Sequence, residues 1–258
     1  MSRHAHGTGK DLVTGLMTDQ DITATADVAE LLNQAASAQE RFQIMYSVLR
    51  DRICMLVYPP GTQLSEEALA SEFGVSRSPL RKALQILEAD GLLLSQQGVG
   101  TLVTEVDLEE LAQVYELRLE LNELTGRLAP RSLDSELEAT FNSLKIRAER
   151  LSSTPDRAVF ARLNIDFFQA FLQLTLNMPL REVSEKLFYK TCRIWLTLID
   201  EKDLPTEVAI FCGEIAEISN AVRLGDFQAA ALIRRAHLSM GFNRLKTATR
   251  QSTDRMAG

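Results

Sequence analysis

Four polar residues of the segment 76–90 share one face of a predicted helix, because they recur at spacings of three and four: Arg77, Ser78, Arg81 and Gln85. Their guanidinium, hydroxyl and amide groups are the ones that hydrogen-bond to base edges and phosphates. A helix with this face can lie in the major groove of DNA, where an arginine fork matches the O6 and N7 acceptors of guanine and contributes roughly 1–3 kcal/mol of base discrimination. An ordinary solvent-exposed helix has the same pattern, so the helix alone leaves both interpretations open.

The opposite face of this helix is apolar and predicts packing against a core. Its residues are Leu80, Ala83, Leu84 and Leu87. Between Gly74 and Leu87 the only charged residues are Lys82 and the two arginines, whereas the whole chain has a formal net charge of −7. Any attraction to nucleic acid must therefore be local to this face.

Histidine is too scarce for most catalytic or metal chemistry. The chain has three, and since His4 and His6 lie in an N-terminal segment containing Gly and Thr, His237 is the only other. Three-histidine zinc sites and two-histidine acid–base schemes therefore cannot form within one chain without that segment. An enzyme that uses His237 with carboxylates is the remaining catalytic alternative, but no nucleophile motif or phosphate loop accompanies this residue.

Composition indicates one large domain or two modest ones, since 45% of the 258 residues are hydrophobic. Cys54, Cys192 and Cys212 are widely separated in apolar surroundings, which is typical of buried thiols and not of disulfides. The chain has no apolar run of about 18 residues and no apolar signal segment. We expect a soluble, cytoplasmic protein with no membrane partner.

The elements around the helix 76–90 predict how it is positioned. An amphipathic helix over 41–56 and a short helix over 65–74 precede it, and a two-stranded hairpin over 92–104 follows it. Only a tight turn separates the short helix from the helix 76–90. This order of elements is that of a winged helix-turn-helix, and it raises the DNA-binding interpretation above the alternative.

The rest of the chain predicts six helices separated by proline and glycine breaks, at 108–129, 134–152, 156–177, 179–200, 206–224 and 227–249. The expected fold class is therefore mainly α, with an N-terminal winged helix-turn-helix carrying a small β-hairpin wing, followed by a six-helix antiparallel bundle. The expected domains are a flexible N-terminal arm (1–38), a DNA-binding domain (39–105), a helical effector-binding and dimerisation domain (106–250) and a tail (251–258).

The stretch PPGTQLSEEALASEFGVSRSPLRKALQILEADGLL resembles the DNA-binding module of the GntR family of bacterial transcription regulators. The resemblance implies that the two arginines contact bases or phosphates, that two serines hold the DNA backbone, and that the hairpin tip enters the minor groove. The residues assigned to DNA in this way are Ser76, Arg77, Ser78, Arg81, Gln97 and Gly98.

Two features depart from the family pattern. Val99 occupies a position before the second wing glycine where the family often carries a basic residue. Glu66 and Glu67 lie in a stretch where some relatives place an arginine on DNA. We therefore expect weaker contacts from the wing and do not assign a DNA contact to the short helix.

The stretch DLEELAQVYELRLELNELTGRLA is similar to the opening of the FadR-like effector domain of the same family. This similarity implies a homodimer whose helical domain binds a small carboxylate, often through a metal held by one aspartate and three histidines. The corresponding positions here are Asn164, Phe168, Ile215 and His237. Phenylalanine and isoleucine have no lone pair to offer, so we expect no metal and no cofactor.

The same alignment suggests polar anchors and apolar walls for an anionic or amide-bearing effector. The expected effector-binding residues are Arg118, Asn164, Phe168, Arg193, Ile215 and His237. Arg118 ranks first because the family's first bundle helix presents an arginine to the cavity at this place. The structural alternatives are that Arg118 pairs with a glutamate, that Arg193 only packs, and that His237 is a satisfied core histidine.

We therefore predict a sequence-specific DNA-binding regulator, a repressor, that binds an inverted-repeat operator as a homodimer and responds to a small-molecule effector without a metal. One alternative is a ligand-independent regulator whose pocket is filled by side chains. The enzyme using His237 is the most remote alternative.

Overall fold

A computed structural model describes residues 25–257 of the chain. His4, His6 and most of the predicted arm lie outside these residues. The chain divides into two compact units between Glu105 and Val106. None of the helices within residues 25–257 is both long enough and apolar enough to cross a bilayer.

The N-terminal unit contains four helices and three short strands among its described residues. They are α1 (Thr25–Gln34), α2 (Ala38–Cys54), β1 (Gln63–Leu64), α3 (Glu66–Glu72), α4 (Arg77–Ala89), β2 (Leu93–Gln96) and β3 (Gly100–Val103). The apolar residues predicted to pack on the core side of α4 are all buried, which confirms the orientation of this helix: Leu80, Ala83, Leu84 and Leu87.

The turn between α3 and α4 depends on Gly74. Its φ of +60° is in the left-handed region that favours glycine and ends α3 abruptly. Ser65 caps α3 through a hydrogen bond to the backbone N–H of Ala68 (3.2 Å). Ser76 occupies the N-cap position of α4, but its side chain accepts no capping hydrogen bond there. Ser76 is exposed, and its hydroxyl makes no capping hydrogen bond to α4.

The wing has a third strand that the sequence pattern did not predict. The sheet order is β1-β3-β2, all antiparallel, with Gln63 opposite Leu102. Backbone hydrogen bonds of 2.9 Å from Gly61 to Val103 and from Val103 to Thr62 extend the pairing. A strand of two residues is too short to produce a recognisable alternation, which explains why only the hairpin was predicted.

A buried arginine joins α2 to α3. Arg52 on α2 forms an ion pair with Glu72 on α3 and donates to the Tyr58 hydroxyl at 2.9 Å. Its guanidinium also lies 5.3 Å from the ring centroid of Phe73. The C-terminal end of the short helix α3 is thereby fixed to α2.

The arm up to residue 38 is expected to be mostly flexible, with a helical turn or two in the apolar stretch from Val28 to Leu32, and the structure has a helix of ten residues there, α1. Val28 and Leu32, four residues apart, are both buried, and Arg41 on α2 donates to the Leu32 carbonyl at 2.9 Å. Burial of these two apolar side chains against α2 stabilises the helix.

The C-terminal unit is entirely helical within its described residues. Its helices are α5 (Leu108–Thr125), α6 (Ser135–Ser153), α7 (Arg157–Leu172), α8 (Met178–Thr191), α9 (Ile194–Leu198), α10 (Leu204–Arg223) and α11 (Phe227–Ala257). Helix α5 packs on α8 and α11, and α10 packs on α6 and α11. Asp107 caps α5 by accepting from the N–H groups of Glu109 (2.7 Å) and Glu110 (3.2 Å).

Two predicted boundaries in this unit are wrong. The stretch 179–200 forms two helices that break at Cys192 and Arg193, where the sequence has neither proline nor glycine to mark an end. Helix α11 continues to Ala257 through residues predicted as a tail, because no helix-breaking residue follows position 249 before the terminal glycine. The bundle therefore has seven described helices, not six.

Candidate nucleic-acid interface and effector site

The surface of α4 opposite to its buried leucines is accessible. All four residues of the predicted recognition face are exposed, as is the N-cap serine: Ser76, Arg77, Ser78, Arg81 and Gln85. The leucines on the apolar face of α4 pack against the core, so the polar face is open to solvent.

Each arginine on this face has an acidic partner on α3. The Nε atom of Arg81 donates to Oε2 of Glu66 at 2.7 Å. A looser pair joins Nη2 of Arg77 to Oε2 of Glu67 at 3.5 Å. The two carboxylates treated in the sequence as departures from the family pattern therefore lie directly beside the candidate DNA-reading side chains.

The tip of the wing is exposed and held in place by its own backbone geometry. Gln97 and Gly98 are at the exposed tip, and Gly98 (φ +79°) and Gly100 (φ +113°) both adopt conformations that favour glycine. The side-chain amide of Gln63 on β1 donates to the carbonyl of Val99. The third strand thus braces the tip that is expected to approach DNA.

In the helical unit, Arg118 is buried at 5% exposure. Its Nη1 donates to Oγ1 of Thr191 at 2.6 Å, and its guanidinium lies 5.2 Å and 5.4 Å from the ring centroids of Tyr115 and Phe188. Burial lowers the pKa of Arg118 to about 10. Within the described residues no carboxylate pairs with it, so the glutamate partner considered from the sequence is not found.

Two other buried arginines of this unit, Arg162 and Arg234, each have a carboxylate partner. Arg162 pairs with Asp166 at 2.6 Å, and Arg234 pairs with Glu214 at 2.6 Å. A buried cation is expensive unless an anion accompanies it. Arg118 instead donates to the neutral Thr191 hydroxyl and lies against two aromatic rings, and these compensate its charge incompletely.

The remaining predicted effector residues are not all gathered around Arg118. Phe168 stacks on Phe188 with ring centroids 3.8 Å apart and planes 4° apart, so it lies one ring away from Arg118. Ile215 is fully buried in α10 and Arg193 is buried at the break between α8 and α9.

Two of the predicted polar anchors have other surroundings. His237 on α11 places its Nε2 atom 3.1 Å from Oε2 of Glu217 on α10, and Asn164 on α7 is partly buried. The contacts therefore join Arg118 to Phe168 through Phe188, whereas His237 forms a pair of its own with Glu217.

Sequence reasoning missed the buried pair formed by Arg234 and Glu214. The guanidinium of Arg234 also lies 5.0 Å from the ring centroid of Phe167. Arg234 shares the buried stripe of α11 with Ala230 and Leu238, four residues to either side. This position within an apolar stripe was the signal that could have identified it.

The described residues contain no group of three His, Cys, Asp or Glu side chains that could hold a metal ion. Cys54 and Cys192 are buried and neither is in a disulfide, and the Cys212 thiol donates to the Ala148 carbonyl at 3.0 Å. The positions corresponding to metal ligands in the resemblance, Phe168 and Ile215, have apolar side chains packed in the interior.

Comparison with known proteins gives the same division of the chain. Residues 43–103 match the family described as bacterial regulatory proteins, gntR family, and residues 113–240 match the FCD domain. Over 152 residues the chain is 29% identical to the uncharacterized HTH-type transcriptional regulator YdhC of Bacillus subtilis (strain 168), covering 58% of this chain and 68% of that protein.

Two further relatives agree with this match. The gluconate operon transcriptional repressor of Bacillus licheniformis is 34% identical over 102 residues, which is 38% of this chain and 42% of that protein. The structure of E. coli McbR/YncC has a TM-score of 0.70 at 20% identity, covers 80% of this chain and 97% of its own, and supports the fold alone. The chain therefore belongs to the gntR family of bacterial regulatory proteins and carries an FCD domain, so it is a transcription regulator and not an enzyme.

Proposed function

We propose that this regulator is a repressor of the FadR-like subgroup that binds an inverted-repeat operator as a homodimer in the cytoplasm and is controlled by a small anionic effector without a metal. The observation that carries the DNA-binding part is the exposed polar face of α4, in which two arginines project from a helix whose other face is packed into the core.

In the proposed complex α4 lies in the major groove. Arg77 and Arg81 contact base edges or phosphates, and Gln85, one turn further along the same face, reaches the adjoining bases. The hydroxyls of Ser76 and Ser78 are exposed near the helix N-terminus, where hydroxyl and backbone N–H groups suit phosphate oxygens.

The wing supports the same docking. Gln97 and Gly98 form an exposed, narrow tip that can enter the adjacent minor groove. A homodimer with twofold symmetry presents two copies of α4 and two wings, so the operator would contain two inverted half-sites about one helical turn apart.

Arg118 supports an anionic effector. A carboxylate that approaches its guanidinium would provide the negative partner that the buried charge lacks, and it would form charge-assisted hydrogen bonds in a region of low dielectric. No metal is needed for this binding mode, because the cation is already supplied by the chain.

The effector would control DNA binding by favouring one arrangement of the two DNA-binding units of the dimer. This control requires that the effector bind more tightly to one arrangement than to the other. We propose that the arrangement favoured by the effector is the one that does not fit the operator.

The DNA-binding proposal is tested by selecting a binding sequence from a random pool and measuring its affinity by fluorescence anisotropy at two salt concentrations. Arg81→Ala should lose most of the affinity for the selected sequence. Arg127→Ala is a matched control, since the Arg127 side chain is 57% exposed compared with 58% for Arg81 and also pairs with a glutamate, on α5. Equal affinities of both variants would contradict the proposal.

A second candidate function is favoured by the stacking of Phe168 on Phe188, which occupies space beside Arg118. In this case the pocket is filled and the regulator acts without an effector. Thermal shift against a set of small carboxylates and aromatic acids separates the two candidates, because a ligand of the native state raises the unfolding temperature. A shift that is absent in Arg118→Met supports the effector, and no shift with any acid supports the filled pocket.

A further inference from the structure

The hydrogen bond between Arg81 and Glu66 involves one particular edge of the guanidinium group. Nε of Arg81 donates to Oε2 of Glu66 at 2.7 Å, so the carboxylate lies on the side of the guanidinium nearest the helix. Within residues 25–257 the two terminal nitrogens of Arg81 donate no hydrogen bond to another side chain or carbonyl. The end of the group therefore remains open.

The open end is the part that recognises guanine. A guanidinium offers five N–H donors in a planar fork, and its two terminal nitrogens together match O6 and N7 of guanine. A carboxylate on Nε does not compete with this contact. It instead restricts rotation of the side chain by holding Nε in place.

The Glu66 carboxylate also weakens non-specific binding, in which the DNA sequence does not matter. Non-specific affinity arises from positive charge near phosphates, and a negative charge beside Arg81 reduces it. A side chain that is free to rotate could also reach a phosphate oxygen instead of a base. Glu66 should thus lower the affinity for random DNA and raise the preference for a half-site that contains the correct guanine.

Glu67 has the same charge but a different geometry. It approaches Arg77 through a terminal nitrogen at 3.5 Å, and its side chain is 83% exposed, compared with 36% for Glu66. This contact is longer than a hydrogen bond and faces the end of the fork. Glu67 is therefore expected to act by charge alone, which makes it an internal control.

The geometry points to Glu66 as a specificity-determining residue that positions Arg81 for bidentate recognition of guanine in the operator half-site. This inference rests on the proposed function, since it requires that α4 read DNA. Glu66 does not touch DNA in this arrangement and acts only through Arg81.

The test compares three variants of the full chain on the selected operator and on random DNA of equal length. Glu66→Ala removes both the charge and the acceptor, Glu66→Gln removes the charge but keeps an acceptor oxygen, and Glu67→Ala removes the same charge one residue away. The measured quantity is the ratio of operator affinity to random-DNA affinity at fixed salt, after circular dichroism confirms that each variant is folded.

Glu66→Ala is expected to lower this ratio about tenfold, within the range for one bidentate arginine–guanine pair, while its affinity for random DNA rises. Glu66→Gln should retain most of the ratio. Glu67→Ala should raise both affinities and leave the ratio unchanged. The inference is overturned if Glu66→Ala and Glu67→Ala change the two affinities in the same proportion, because the effect would then be one of charge alone.

Replacing single guanines by 7-deazaguanine, which lacks N7, adds a test at the level of the base. One guanine of the half-site should be sensitive to this change in the wild type and insensitive in Arg81→Ala, and its sensitivity should be mostly lost in Glu66→Ala. If it remains at full strength in Glu66→Ala, Glu66 does not position Arg81. If the wild type does not distinguish operator from random DNA, the proposed function itself fails, which is a separate result.

Discussion

Gly126 lies against the backbone of Phe227 so closely that a Cβ atom on Gly126 would be 2.2 Å from the Phe227 carbonyl oxygen and 2.8 Å from the Cβ of Ala231. Gly126 ends α5 with φ −80°, a conformation that any residue adopts, so the restriction is steric and not conformational. The absence of a side chain allows α5 and α11 to pack with their backbones almost in contact at this point.

We predict that Gly126→Ala lowers the free energy of unfolding by about 1–3 kcal/mol or more, because the added methyl group forces the two helices apart. Gly213→Ala is the control, because Gly213 lies in the middle of α10 and a Cβ atom there would have no neighbour within 4 Å. That variant should be more stable by roughly 0.5–1 kcal/mol, because alanine favours the helix. Urea unfolding followed by the fluorescence of Trp195, the only tryptophan, reports on the helical unit. Equal midpoints for the two variants would refute the prediction.

The uncompensated charge of Arg118 predicts that its loss is stabilising. Arg118→Met should raise the free energy of unfolding by about 1 kcal/mol or more, because a buried cation without an anion is replaced by an apolar side chain of similar length. Arg234→Met should instead lower it by about 3–5 kcal/mol, because the buried carboxylate of Glu214 would lose its partner. A lower stability of Arg118→Met than of the wild type would show that the charge is compensated.

We predict that the difference in free energy of unfolding between Arg118→Met and the wild type depends on pH. Burial lowers the pKa of Arg118 to about 10, so above pH 10 the folded wild type binds fewer protons than the unfolded chain and its stability rises relative to the variant. The advantage of Arg118→Met should therefore be complete below pH 10 and shrink as the pH rises toward 12. Urea midpoints of both proteins between pH 8 and about 11 check this sign.

The sequence predicted α4 well because this helix has strong local signals. A glycine stop, an N-cap position and a complete apolar stripe all agree on its limits, and the structure confirms its buried face. The break between α8 and α9 at Cys192 and Arg193 has no such signal, since the sequence has neither proline nor glycine there.

The candidate sites show the same contrast. The acidic partners of Arg77 and Arg81 are on a different helix, so helical spacing within α4 could not identify them. The stacking of Phe168 on Phe188 likewise joins α7 to α8. Periodicity identifies which face of a helix is polar or apolar, but the partner of each side chain is decided by the tertiary fold.

Val99 at the wing tip predicts a gain in DNA affinity on introducing a positive charge. Val99→Lys should tighten binding and steepen the dependence of log affinity on log salt by about one, the slope of one added phosphate contact. Val183→Lys on α8 is the matched control, because Val183 is 47% exposed and Val99 is 40% exposed. Anisotropy titrations at four salt concentrations measure the slope, and a similar change in both variants would exclude a specific role of the wing.

The apolar side chains of Phe168 and Ile215 predict that the helical domain binds no structural metal. Protein purified without chelator should contain zinc, nickel and manganese well below one equivalent per chain, and a chelator should leave its unfolding temperature unchanged. Elemental analysis with calorimetry checks both statements. One full equivalent of any of these metals, lost together with stability on chelation, would identify a donor set different from the one inferred by resemblance.

The packing of α1 on α2 decides how the DNA-binding unit can be excised for separate study. A fragment that began at residue 38 would retain every strand and the recognition helix, but it would leave the apolar surface under Val28 and Leu32 open to water. Such a surface promotes self-association of an isolated fragment. A soluble fragment therefore has to include α1 and begin at or before Thr25, although none of the residues of α1 belongs to the candidate DNA-contacting set.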